Sequence, residues 1–233
     1  VYTKITNKDV RLLSNDYKID KVTKFEGIKK GIENTNYLLR TGKKKYILTI
    51  FEKRVQKKDL PFFMSLMESL NQKKIICPKP LKNSKDKYLS KIQNKPFCIV
   101  TFLKGKDKAN LNYKNCFDIG KNIAKFHKVT SKIKLYRENS MSISKLGGLL
   151  KSIKFISNKV DPKLEPTLKA CLKNIKSQWP KKLPVGIIHG DLFIDNIFFN
   201  KNKFSGFIDF YFSSNDYLMY EIAICINALC FDK

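Results

Sequence analysis

Residues 189–209 constrain the fold more than any other stretch. They begin His189-Gly190-Asp191-Leu192-Phe193-Ile194-Asp195-Asn196 and close with Ile208-Asp209-Phe210. Residues 184–188 form a short apolar approach to this loop. Residues 196–199 leave it as a strand, Lys201-Asn202-Lys203 is a polar turn, and residues 204–208 return as a second strand. Strand, turn and strand bring Asn196 and Asp209 back to the same end.

This trio suits phosphoryl transfer. ATP carries concentrated negative charge, so hard oxygen ligands must hold a metal against its phosphates. The attacking hydroxyl must be aimed in line, and a carboxylate beside its oxygen does that. Protein kinases use the same spacing: the loop Asp receives the hydroxyl proton, and the Asn and the second Asp hold Mg²⁺. Read singly, Asp191 caps a turn and Asp209 ends a strand. The spacing of all three favours Asp191 as the catalytic base and Asn196 with Asp209 as metal ligands. His189 and Gly190 then support the loop.

A chain of 233 residues with 42% hydrophobic content can bury the core of one large domain or two small lobes. It shows no N-terminal apolar stretch and no run long enough to span a bilayer. Cysteines stand at 77, 98, 116, 171, 225 and 230. None is spaced as Cys-x-x-Cys, and most lie in apolar periodic segments. They read as reduced core thiols of a cytoplasmic protein. With only two histidines, neither spaced with cysteines, a structural zinc site is disfavoured. The net charge of +27 raises nucleic-acid binding. Yet among 47 basic residues only Arg11, Arg40, Arg54 and Arg137 are arginines, the residue that phosphate forks and base readers favour. The lysines are spread everywhere, as on a solvated surface.

Residues 21–25, 35–40 and 45–51 read as three successive strands. Residues 60–70 carry apolar side chains at 60, 63, 66, 67 and 70, which is helix spacing. Residues 88–92 and 97–102 read as two more strands. Residues 1–103 thus form a strand-rich N-terminal nucleotide-binding lobe with one helix. Residues 104–108 form a polar, flexible hinge. Residues 104–233 form a mainly helical catalytic and substrate lobe. Its helices are expected at 113–129 (Cys116, Ile119, Ile123, Phe126 and His127 on one face), 146–156, 164–179 and 217–231. On the last, Leu218, Ile222, Ile226 and Leu229 form an apolar face. The order predicts an α+β, two-lobed, kinase-like fold.

Further residues take nucleotide roles in such a fold. Residues 27–34 lie between the first two strands, where Gly31 lets backbone approach phosphate, and Asn34 and Asn36 can donate to phosphate or cap the turn. Ile47, Thr49 and Lys53 share one face of the third strand. Thr101, Phe102 and Leu103 enter the hinge, where backbone groups pair with adenine. Glu68 is either the carboxylate that orients an ATP-binding lysine or a surface helix charge. His127 reads as a satisfied core histidine. Asp216 and Glu221 read as structural, Asp216 as a cap of the last helix.

The chain resembles the aminoglycoside-phosphotransferase-like kinases of small molecules and, within them, the bacterial homoserine kinases. The wider likeness rests on the catalytic hairpin. The narrower one rests on Gly31-Ile32-Glu33-Asn34-Thr35-Asn36-Tyr37 and Ile47-Leu48-Thr49-Ile50-Phe51-Glu52-Lys53-Arg54, supported by Leu60-Pro61-Phe62-Phe63 and Tyr220-Glu221-Ile222-Ala223. The resemblance implies a protein-kinase-like fold, ATP and Mg²⁺ as cofactors, and L-homoserine as the acceptor, on the route to threonine. It implies Asp191 as base and Asn196 with Asp209 on Mg²⁺. Thr49 stands where the superfamily carries an ATP-binding lysine, so Lys29, Lys30 or Lys53 is expected to supply the charge. The chain stops soon after its last apolar helix, where the family continues, and is expected to be truncated there. Competing readings are a kinase of another small alcohol (choline, an aminoglycoside or a methylthio-sugar), a non-catalytic nucleotide-binding module, and a nucleic-acid binder.

Overall fold

A computed structural model describes residues 2–29, 33–52 and 55–231, with the backbone alone for 154–158. The N-terminal lobe is built on a five-stranded antiparallel sheet of order β1-β2-β3-β5-β4. Its strands are β1 (Val22–Ile28), β2 (Thr35–Thr41), β3 (Lys45–Ile50), β4 (Leu89–Ile92) and β5 (Lys95–Thr101). Helix α2 (Leu60–Gln72) begins with a proline in its first turn, where no N–H is needed. All five of its expected core positions are buried: Leu60, Phe63, Leu66, Met67 and Leu70.

The lobe has a second helix that the sequence reading missed. Helix α1 (Asn7–Asp16) starts at a capping box in which Thr6 and Asp9 satisfy each other's backbone N–H groups. Its Val10 and Leu13, with Tyr17, pack on Leu39, Leu48 and Ile99. Strand alternation explains the arrangement. Leu48 and Ile50 of β3 face α1, whereas Phe51 just beyond the strand joins the opposite core with α2, and Ile47 packs against it. Without α1 the back of the sheet would be an apolar face open to water.

The C-terminal lobe carries α3 (Tyr113–Thr130), α4 (Ile143–Val160), α5 (Leu164–Gln178) and α6 (Leu218–Leu229). The expected hairpin is β7 (Ile197–Asn200) with β8 (Lys203–Phe207). The apolar approach is β6 (Val185–Ile188), which pairs with β9 (Ser214–Tyr217), a strand not foreseen. Among the described residues no helix is long and apolar enough to cross a membrane.

Other expectations need correction. The segment read as a flexible hinge is pinned: Lys106 and Phe199 exchange both backbone hydrogen bonds, at 3.0 and 2.9 Å. All six cysteines are free thiols, but Cys116, Cys171 and Cys230 are exposed. On α3 Ile119, Ile123, Phe126 and His127 are buried as expected, but Asn115 is buried in place of Cys116, its side chain completing a capping box with Asn112. On α6 the buried residues are Glu221 and Cys225, and Ile226 is exposed. Asp216 does not cap that helix; it accepts from Asn139 Nδ2 at 2.6 Å.

Candidate active site

A cleft of about 260 Å³ opens between the front of the five-stranded sheet and the β7–β8 hairpin. Ile28, Ile47 and Val100 line it from the sheet, and Phe198 and Ile208 from the hairpin side. Apolar side chains on both sides suit a flat, weakly polar ring. Thr101, Phe102 and Leu103 line it as the chain leaves β5. The N–H groups of Thr101 and Phe102 are committed to Lys79 O (2.9 Å) and Lys45 O (3.2 Å). No such bond engages the Leu103 N–H among the described residues.

Around Thr49 and Tyr211 the cleft wall is polar but uncharged. Thr49 Oγ1 donates to Asn36 Oδ1 at 2.8 Å across the β2–β3 register. The Tyr211 hydroxyl lies 3.6 Å from Cys98 Sγ. Burial pushes the phenol well above its ordinary range and the thiol up to about 12, so both stay uncharged. No lysine or arginine lines the cleft among the described residues. Lys29 is exposed and away from it. Gly31, Lys30 and Lys53 lie outside the described residues. Asn34 does not line the cleft, and its Oδ1 is buried without a described partner. Glu68 is not brought to the cleft either. Its carboxylate faces Gln72 on the same helix at 3.5 Å, because α2 turns Met67 inward instead.

The loop residues converge at the other wall. Gly190 has φ +80°, and a Cβ there would meet Phe212 O at 2.9 Å, so the turn demands glycine. Asn196 Nδ2 donates to Asp191 O at 2.8 Å and to Asp191 Oδ2 at 2.9 Å, which fixes the carboxylate. Asn196 and Asp209 both line the cleft, as does Asp195, which the sequence reading did not single out. Asp209 sits at φ 63°, ψ 62°, a left-handed conformation uncommon for non-glycine residues but more accessible to Asp than to most. Its side chain opens toward the cleft, yet protein crowds its base. Burial, then the negative charges of Asp191, Glu33 and Asp195, raise its pKa to about 7. A nearby cation would favour its ionised form.

Glu221 holds the loop from behind. It is fully buried and accepts from His189 N (3.1 Å) and Gly190 N (2.8 Å). Its Oε2 also lies 3.0 Å from His127 Nε2. No sequence signal links residues so far apart; the sequence reading assigned Glu221 a structural role and His127 a core one, without the link. Glu221→Ala leaves buried N–H donors unpaired at about 1–3 kcal/mol each. A loss of roughly 3 kcal/mol in urea unfolding is expected, and a loss under about 1 kcal/mol would contradict this role.

His189 is buried, with Nε2 on Ile208 O at 2.8 Å and Nδ1 without a described partner. Burial lowers its pKa below the ordinary 6.5 and so favours the neutral ring. The unfolded chain takes up this proton near 6.5, the folded protein only at lower pH. The stabilisation is therefore complete above that value and is lost as pH falls through the folded pKa. His189 thus adds a downward slope to the melting temperature as pH falls from about 7.5 to about 5.5, opposed by Asp209, whose raised pKa favours the folded state at lower pH. His189→Asn should flatten part of that slope, and an unchanged slope would refute the assignment.

Comparison with known proteins fits this geometry. The model of the "phosphotransferase enzyme family" matches residues 24–233. The chain belongs to that family. It is 39% identical over all 233 residues to a homoserine kinase of Rhizobium rhizogenes, spanning 73% of that protein. It is 38% identical to the homoserine kinase of Agrobacterium fabrum, spanning 72% of it. Among solved structures, an amicoumacin kinase in complex with AMP-PNP, Ca²⁺ and Ami superposes with TM-score 0.75 at 15% identity, covering 99% of this chain and 72% of that one. A spectinomycin phosphotransferase with ADP and spectinomycin superposes with TM-score 0.68 at 13% identity, covering 96% and 74%. These two establish the kinase-like, two-lobed α+β fold of this phosphotransferase.

Proposed function

We propose that this phosphotransferase moves the γ-phosphoryl group of ATP to the side-chain hydroxyl of L-homoserine, giving O-phospho-L-homoserine in threonine biosynthesis. The reading is supported by a likeness to homoserine kinases over all 233 residues of this chain, whose Asn196 and Asp209 line one cleft and whose Asn196 also holds the Asp191 carboxylate. The adenine lies between the Ile28–Ile47 and Phe198–Ile208 walls, its edge on the Leu103 backbone. Residues 1–103 form the nucleotide lobe and 104–233 the acceptor lobe. The reaction belongs to the cytoplasm, where ATP and free amino acids meet.

Asp191, oriented by Asn196, aims the homoserine hydroxyl and takes its proton as the new O–P bond forms. Among the described residues no three His, Cys, Asp or Glu side chains form a complete metal cage. The donors present nevertheless fit Mg²⁺. Asp209 is crowded by negative charge, and Asn196 spends its Nδ2 on Asp191, leaving its carbonyl oxygen for a cation. Phosphate oxygens would complete the shell. When bound, Mg²⁺ supplies charge neutralisation at the phosphates, a role that matters more because no described lysine lines the cleft.

The test is release of ADP from Mg-ATP with a panel of L-homoserine, choline, an aminoglycoside and a methylthio-sugar. Homoserine should exceed the rest at least roughly tenfold in kcat/KM. Preference for another alcohol would replace the acceptor. Nucleotide binding without any turnover would replace the reaction by a binding module.

A further inference from the structure

A second cavity, of about 590 Å³, lies between the start of α2, residues 136–140 and α4. Its inner wall is Arg137. The guanidinium is nearly buried, its side chain 14% exposed. Nε donates to Asp59 Oδ2 at 2.7 Å, Nη1 donates to Ser213 O at 3.0 Å and lies 3.4 Å from Phe212 O, and the group stacks on the Phe63 ring at 5.0 Å. These contacts occupy Nε and Nη1 and leave Nη2 as the edge without a hydrogen bond among the described residues. That edge belongs to a cation fixed before any ligand arrives. The same wall touches the catalytic loop. Phe212 O lies 2.9 Å from the Cβ position of Gly190, the residue before Asp191.

The cavity also carries both signs of charge. Lys58 lines it, as does the Lys145–Glu138 ion pair at 2.9 Å, while Asp59 adds a second carboxylate to the wall. Phe62, Tyr136 and Leu149 add apolar surface between these charges. A small zwitterion can place a carboxylate on the cations and an ammonium on the acids.

We infer that this cavity is the acceptor site: Arg137 receives the α-carboxylate of a small hydroxy amino acid, and Asp59 and Glu138 receive its ammonium, with the side-chain hydroxyl directed toward Asp191. The inference deepens the homoserine kinase reading and rests on it for the identity of the acceptor. It assigns Arg137 a role in binding and specificity. It also explains why the guanidinium is braced against the backbone that packs on the catalytic loop: a filled carboxylate site and an ordered loop share one residue.

Two variants test the site separately. Arg137→Gln removes the cation. Gly148→Phe fills the cavity from α4, where an added Cβ meets nothing within 4 Å, so folding should be unaffected. The full chain is titrated with L-homoserine, 3-aminopropanol and 4-hydroxybutanoate by calorimetry in the presence of Mg-AMP-PNP, and turnover is measured with Mg-ATP. Wild type should bind homoserine at least roughly tenfold tighter than either analogue, since each lacks one charge. Both variants should raise KM for homoserine roughly tenfold or more while KM for ATP stays within about twofold. Arg137→Gln should leave the weak binding of 3-aminopropanol, which has no carboxylate, unchanged. If wild type turns homoserine over but Gly148→Phe leaves its KM unchanged, the cavity is not the acceptor site and the kinase reading stands. If wild type binds homoserine through Arg137 and Gly148 without phosphorylating it, the site stands and the reaction is wrong. If wild type binds no amino acid, the site is overturned.

Discussion

Asp191→Asn is expected to lower homoserine turnover by about a hundredfold or more, the scale of a positioned general base. The substitution is conservative in shape. The new side-chain carbonyl can still accept the bond that Asn196 Nδ2 gives to Asp191 Oδ2 at 2.9 Å, so the loop should keep its form. What is lost is the ability to take the hydroxyl proton. Affinity for a non-hydrolysable nucleotide should stay within about twofold, because Asp191 does not line the apolar slot. A stopped assay of ADP release, paired with nucleotide titration, reads both quantities. Near-normal turnover would remove Asp191 from the mechanism.

Asp209→Ala should cost more, on the order of a thousandfold in Mg-ATP turnover, since several kcal/mol of charge stabilisation depend on the cation it holds. Asn196→Ala should be milder and partly rescued by raising Mg²⁺, while Asp209→Ala should not be rescued. The structure limits that rescue. Asn196 also fixes the Asp191 carboxylate, so excess Mg²⁺ restores metal binding but not the aim of the base. A Mg²⁺ titration of all three proteins decides the matter. Normal Mg²⁺ dependence in Asp209→Ala would exclude it as the principal ligand.

Much of this protein could be read from residues close in the chain. Asn196 and Asp209 are joined by one hairpin whose strands and polar turn are explicit in the sequence, and the structure returns both to one cleft. The five sheet strands and α2 follow from side chains alternating or recurring within a few positions. The N-terminal helix was legible too: its capping box is Thr6 with Asp9, and Val10 and Leu13 supply its apolar face. It was overlooked because the apolar stripe is short.

Tertiary structure alone decided the rest. Ser214–Tyr217 has little intrinsic strand character and becomes β9 only because β6 offers an unpaired edge. Glu68 could be read either as a lysine-pairing carboxylate or as a surface helix charge, and the rotation of α2 sends Met67, not Glu68, to the cleft. Glu221 meets His189 and Gly190 across 32 and 31 residues of chain. Arg137 meets Asp59 across 78. Local geometry follows from dihedral preference and side-chain period, which act between neighbours. Which distant polar groups share one buried point depends on how whole elements pack, and burial then makes each of those pairings obligatory.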